Sequence, residues 1–228
     1  MCSGSDSPVL LFEALIEAAS AVYKVQLDFD HLGSAEHDEP KQGFIKEMFP
    51  GLKHLFANVL GMANASAYDV LVGKMVTVPH SKFTMWGFPC DDVSLLNPGA
   101  ADHNEVVAGV SGRTGTLFHA CMDYLDATRD EVEASASENV VGLAKILSSK
   151  ITGHRPYNSN LDFCFARYAA SRWWSIALQL DSGEFLKPIG RPRIWMPLVP
   201  MEKLGALTVD DANAIALEVS VGPDPHIH

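Results

Sequence analysis

The sequence predicts an α/β fold with a largely parallel sheet. Three observations carry this: short apolar runs alternate with helical periodicities nearly throughout, turn residues punctuate most junctions, and no internal repeat interrupts the alternation. The 228 residues are enough to bury a substantial core and read as one domain over 1–228.

The elements follow in order. Val9, Phe12, Leu15, Ile16, Ala19, Val22 and Tyr23 recur at helical spacing, so Pro8 to Lys24 is an expected amphipathic helix, with Ser7 as N-cap and proline at the first helical position. A strand over Phe29 to Ala35 ends at Glu36. Pro40 opens a second helix with Phe44, Ile45 and Met48 expected on its inner face, stopped by Pro50-Gly51. Leu52 to Val59 is a short strand, and Gly61 to Val78 shows no clear period and reads as irregular. Phe83 to Phe88 is a buried strand halted at Pro89. The stretch from Asp91 to Arg113, rich in Gly, Asn, Asp, Ser and Pro, is a long loop of the kind usually kept for function. Thr114 to Leu125 is helical, Val132 to Ser137 a polar strand, and Gly142 to Ser149 a helix. Leu161 to Arg172 is a further helix, followed by alternation at Trp174, Ile176, Leu178 and Leu180. Arg193 to Val199 is the last strand, and Thr208 to Glu218 has helical composition.

Composition excludes several classes. No apolar stretch approaches a membrane span, and Met1 to Pro8 lacks the basic start of a signal peptide. Four widely spaced cysteines (Cys2, Cys90, Cys121, Cys164) with no Cys-x-x-Cys pair fit reduced thiols, with no metal site expected, in an intracellular protein. The compartment expected is the nucleus in a eukaryote and the cytoplasm otherwise. A formal net charge of −11 opposes non-specific DNA affinity, which phosphate neutralisation supplies, so any DNA contact needs a local basic patch or a partner.

In parallel sheets ligands sit beyond the carboxyl ends of strands, which directs attention to Glu36, Asn58-Val59, Pro89-Cys90 and Glu138. Singly, each has a plain explanation. Cys90 reads as a buried thiol, Glu138-Asn139-Val140 as a strand exit, and Arg191 with Arg193 as a solvated pair. Their order is what carries information. Gly87-Phe88-Pro89-Cys90 with Ser94, then Arg113-Thr114-Gly115-Thr116-Leu117-Phe118, then Glu138-Asn139-Val140, then Arg191-Pro192-Arg193 resembles the motif series of the DNA cytosine-C5 methyltransferases, over about Cys2 to Val199.

The resemblance implies a Rossmann-like, S-adenosylmethionine-dependent methyltransferase sheet with helices on both faces. It also implies a reaction. Cytosine C5 is too weak a nucleophile to take a methyl group until a thiolate adds at C6, and Cys90 stands where the family carries that thiolate. Glu138 corresponds to the residue that favours addition through N3. Asn139 would hold the turn, and Arg191 and Arg193 would fix the flipped base with their forked donors. The Asp91–Arg113 loop would close over the base.

On the cofactor side the resemblance assigns Ser3, Gly4, Ser5 and Asp6 to the glycine loop, and Glu36 to the ribose hydroxyls. It assigns His37 to the adenine face, Asn58 and Val59 to the adenine edge, and Pro89 and Leu117 to the pocket wall. Asp6 replaces a glycine, Asn58 an aspartate and Ile189 a glutamine of the family pattern. The strand expected before Cys2 is absent from the sequence; its loss would leave an unpaired internal edge, so the expectation is either a start that lies upstream or a degraded copy. The 35 residues after Arg193 leave no room for a target-recognition domain and closing motif. The expectation is an enzyme that needs a complementing subunit or segment and binds DNA weakly alone. Two alternatives stay open. One is a non-catalytic remnant or regulatory subunit that binds cofactor or a partner methyltransferase. The other is a different thiol enzyme pairing Cys90 with His103 or His119.

Overall fold

The computed structural model describes residues 7–26, 28–97, 106–109, 112–146, 157–181 and 192–205. The expected glycine loop (Ser3, Gly4, Ser5, Asp6), Arg191, Ile189, His103 and the helix at Thr208 to Glu218 lie outside the described residues.

The described strands form two sheets. The first has the order β1-β2-β3-β4, from β1 (Gly33–Ala35), β2 (His54–Phe56), β3 (Ser66–Asp69) and β4 (Lys74–Thr77). The second runs β5-β6-β9-β7, with β8 also paired to β9, from β5 (Phe83–Gly87), β6 (Ala134–Val140), β7 (Trp173–Ser175), β8 (Leu178–Asp181) and β9 (Pro192–Pro200). Among the described strands only β1·β2 and β5·β6 are parallel; the other described pairings are antiparallel. The expectation of a largely parallel sheet is therefore corrected. The parallel pairs occur where a helix fills the crossover, whereas β3-β4 joins through a tight turn and β7 and β8 fold back on β9.

Helices cover both faces of the second sheet. Helix α1 (Ser7–Tyr23) meets one face through Phe12, whose ring centroid is 4.3 Å from that of Phe83. Helices α3 (Arg113–Thr128) and α4 (Asn160–Ala170) take the opposite face. Phe118 packs on Trp86 and Phe88, and the Tyr168 hydroxyl meets Ser137 Oγ at 3.1 Å. One core cluster draws on both sheets, from Ala35, Phe56 and Ala67 to Trp86, Phe118, Tyr168 and Met196. A smaller cluster gathers Ile45, Phe49, Leu52 and Leu55 around helix α2 (Glu39–Met48).

Several elements differ from expectation for identifiable reasons. Helix α2 starts as foreseen, with Asp38 Oδ1 accepting from Lys41 N and proline in the first turn. Its inner face, however, is Gln42 and Ile45, while Phe44 and Met48 are exposed. Gln42 goes inside because its amide donates to the Glu36 carbonyl at 2.6 Å. The apolar stripe of α1 likewise stops short, leaving Val22 and Tyr23 exposed.

Residues 61–78 are ordered, as a 3-10 turn (Met62–Asn64) followed by the β3-β4 hairpin. The hairpin turn holds apolar Val70, Leu71 and Val72, which hid it in the sequence. It is organised by buried Asp69, which accepts from Leu55 N, Leu71 N and His54 Nδ1, and by Gly73 at φ +68°. Strand β6 runs on through Glu138 to Val140, beyond its expected end at Ser137. Its serines are buried but satisfied: Ser135 donates to the Thr84 carbonyl and accepts from Trp86, and Ser137 pairs with Tyr168. Of the helix expected over Gly142 to Ser149, residues 142–144 belong to a 3-10 turn (Val141–Ala144), 145 and 146 are not helical, and 147–149 lie outside the described residues.

Candidate active site

The register of the second sheet assembles the catalytic candidates. Parallel pairing sets Gly87 against Glu138, and antiparallel pairing sets Glu138 against Trp195 and Val140 against Arg193. The carboxyl ends of β5 and β6 and the start of β9 therefore share one end of the sheet. Cys90 follows β5 there, and Glu138 and Arg193 project from one face of adjacent strands. Arg193 Nε lies 2.6 Å from Glu138 Oε1, a charge-assisted contact with both side chains about a quarter exposed. Gly87 admits the glutamate: a Cβ at that position would sit 3.3 Å from Glu138 Oε2.

The turn carrying the thiol is pinned from two sides. Asn139, buried between the strand ends, donates from Nδ2 to the Phe88 carbonyl at 3.0 Å and accepts from Val140 N at 2.8 Å. Beyond Pro89, which is half-buried, the Cys90 carbonyl accepts from Val93 N and Ser94 N, closing a turn around the cysteine. The next residues dock on the 3-10 turn after β6, where Gly142 lets the Val93 carbonyl approach so closely that a Cβ would meet it at 2.0 Å.

Among the described cysteines Cys90 alone is partly exposed. Cys121 and Cys164 are wholly buried, and burial pushes the Cys164 thiol far above its ordinary range. A thiol that resists ionisation is a poor nucleophile, so the chemistry points to Cys90. His119 does not serve as its base: its Nε2 is buried with no hydrogen-bond partner, and its ring packs on Phe118 and Phe163.

The candidates for the cofactor side fall at the ends of the first sheet. Glu36, 4% exposed, follows β1; its Oε1 accepts from His37 N at 2.8 Å and Asp38 N at 2.9 Å. His37 beside it is half exposed. After β2, Asn58 is exposed and borders a depression of about 410 Å³ with Leu60, Tyr68 and Met75, while Val59 is buried in the main core. Leu117 lies within α3, half-buried against that core. A fixed carboxylate acceptor followed by a flat half-exposed ring, at the carboxyl end of a parallel strand, is a donor set that fits a ribose and a purine. The sequence singled out these positions but missed Arg113 as a connector. Its guanidinium reaches His37 Nε2 at 2.8 Å and Asp91 Oδ2 at 3.3 Å, joining residues 76 and 22 positions away, and no local spacing announces such a contact.

Parallel strand ends carrying the polar groups, with helices on both faces of the second sheet, define an α/β fold. A crystal structure of a Spodoptera frugiperda DNMT2 triple mutant has the same fold, with a TM-score of 0.50 at 13% identity over 85% of this chain and 49% of that one. S. pombe Dnmt2 methyltransferase scores 0.48 at 13% identity, over 88% of this chain and 50% of that one. In sequence the chain is similar to DNA (cytosine-5-)-methyltransferases. It is 34% identical over 202 residues, 88% of its length, to DNA (cytosine-5-)-methyltransferase DMT5 of Cryptococcus neoformans var. grubii. It is 33% identical over 101 residues, 42% of its length, to the DMT5 of Verticillium dahliae. The chain spans only 7% and 4% of the length of these relatives. No family model matches it. No helix among the described residues is long and apolar enough to cross a membrane.

Proposed function

We propose that the chain contributes the catalytic centre of a DNA cytosine-C5 methyltransferase, with Cys90 as the nucleophile. The observation that carries this is the partly exposed Cys90 at the sheet end that also bears the Glu138–Arg193 ion pair. S-adenosylmethionine supplies the methyl group when bound, and Glu36, His37, Asn58, Val59, Pro89 and Leu117, with the Ser3–Asp6 loop, are the residues proposed to hold it.

The chain's own residues then have separable tasks. The Cys90 thiolate adds to C6 of a flipped cytosine, and the electron pair of the C5–C6 double bond moves to C5, which takes the methyl group. Glu138 holds a proton toward N3 of the ring, which lowers the cost of the charge that addition develops there. Arg193 keeps Glu138 in place and, with Arg191, donates to the base carbonyl. Loss of the C5 proton and departure of the Cys90 sulfur restore the ring. Asn139 fixes the strand end from which the thiol projects.

DNA is the proposed substrate. With a net charge of −11 the chain is proposed to engage it alongside a complementing subunit or segment that supplies groove contacts. The test uses an oligonucleotide containing 5-fluorocytosine, which blocks loss of the C5 substituent and traps the adduct. With S-adenosylmethionine and a complementing segment taken from a longer relative, a covalent complex on Cys90 is expected, absent in Cys90→Ser. A chain that binds S-adenosylmethionine by titration calorimetry yet never forms the adduct is instead a cofactor-binding regulatory subunit.

A further inference from the structure

The ends of β1 and β5 belong to different sheets, yet one side chain spans them. Arg113, at the start of α3, places one terminal nitrogen 2.8 Å from His37 Nε2 and the other 3.3 Å from Asp91 Oδ2. His37 is itself held from the other side, its Nδ1 2.9 Å from Glu36 Oε1. The partners fix the ring's protons. Glu36 only accepts, so His37 Nδ1 carries the hydrogen and donates; Arg113 only donates, so His37 Nε2 accepts. The four groups form one connected chain, from a buried carboxylate through an imidazole and a guanidinium to the residue next to Cys90.

Asp91 is an effective place to hold that turn. Its own carbonyl accepts from Asn97 Nδ2 at 2.7 Å, and the Cys90 carbonyl caps Val93 and Ser94. A pull on Asp91 therefore moves the whole thiol-bearing turn. Arg113 itself is firmly seated, because the neighbouring Thr114 N donates to Asp92 Oδ2 and α3 packs closely under residues 106–109, where a Cβ on Gly115 would meet the Gly109 carbonyl at 1.8 Å.

We propose that Arg113 is a positioning residue that clasps His37 to Asp91 and thereby ties the side chains beside Glu36 to the Cys90 turn. This rests on the reading of Cys90 as the nucleophile and His37 as a cofactor-facing ring. The clasp makes the two halves of the site one mechanical unit. Arginine suits this role because its rigid fork sets two separate nitrogens against two acceptors, whereas a lysine offers a single ammonium nitrogen.

The clasp is a property of the protein without ligand, so its test is separate from that of the function. The rate of Cys90 alkylation by iodoacetamide is read by mass spectrometry of the Cys90 peptide, with buried Cys121 and Cys164 as internal controls of folding. Arg113→Lys and His37→Phe, the latter keeping a flat ring, are each expected to accelerate Cys90 alkylation by about three-fold, the scale of half-exposed polar contacts. The double variant should be no faster than either single one. Nitrogen-15 correlation spectra should show His37 protonated on Nδ1, with that preference weakened in Arg113→Lys, where Glu36 remains as the acceptor. Asp91→Ala, at an exposed carboxylate, removes the acceptor at the far end of the clasp and should reproduce the acceleration even where another variant folds poorly. Unchanged rates, or single effects that multiply in the double variant, overturn the clasp. Titration with S-adenosylmethionine reports on the cofactor reading independently: wild-type protein that binds none but shows the coupled rates keeps the clasp and loses that reading.

Discussion

Gly142→Ala should damage the thiol-bearing turn from beneath, although Gly142 is 49 residues from Val93 in sequence. A Cβ on Gly142 would stand 2.0 Å from the Val93 carbonyl oxygen and 3.1 Å from its carbon, and the opposing atoms are backbone. Carbon and carbonyl oxygen approach no closer than about 3.3 Å in ordinary contacts, so Val93 must retreat by more than about 1 Å. No flexible side chain can absorb that shift. Val93 N donates to the Cys90 carbonyl, so the movement pulls on the turn at Cys90. Overpacking of this kind costs about 1–3 kcal/mol. For a domain of this size that corresponds to a fall in Tm of roughly 2–4 °C per kcal/mol. The assay is thermal unfolding followed by tryptophan fluorescence, together with the alkylation rate of Cys90. Gly142→Ala should lower Tm and accelerate alkylation, while the exposed Gly43→Ala, with open space around its Cβ, should not lower Tm. A Gly142→Ala protein with wild-type Tm and wild-type alkylation would refute the close approach of Val93.

Further outcomes follow from the same contacts. Asn139→Ala leaves the Phe88 carbonyl without its donor and should cost about 1–3 kcal/mol in urea unfolding, with Asn139→Asp no better because two acceptors would then face each other. Glu138→Gln should leave urea stability within about 1 kcal/mol of wild type, since its partner Arg193 is not fully buried. The same change should slow adduct formation on 5-fluorocytosine DNA by about 10²–10⁴, the usual span of acid–base assistance. Stability should fall as pH rises above 9.0, the ordinary value for the Cys164 thiol. Burial raises the Cys164 and Tyr168 values in the folded chain, so above the ordinary range the unfolded chain binds fewer protons and is favoured. Denaturant midpoints from pH 7 to pH 10 should show this decline, and Cys164→Ala should flatten it.

The sequence by itself determined the elements whose cues are local. The periodicity from Val9 onward, the cap at Asp38 with Pro40, the apolar run ending at Pro89 and the helix from Thr114 were all legible, because capping and side-chain period act within a few residues. The order of the motifs also named Cys90, Glu138 and Arg193 before any geometry. Tertiary structure decided the rest. Whether Phe44 or Gln42 turns inward depended on a carbonyl of Glu36, and whether serines could fill β6 depended on Thr84 and Tyr168 lying across from them. The hairpin at 66–77 was held by Asp69 reaching back to β2, against a turn composition that argued otherwise. Strand direction was invisible locally too, since the same alternation serves parallel and antiparallel partners. For the site, types of residue were legible but not their joining. Glu138 meets Arg193 because of a register, Val93 meets Gly142 because of a close backbone approach, and Arg113 bridges His37 and Asp91 because two sheets share one core. These are contacts across long sequence separations, which only the folded chain brings within reach.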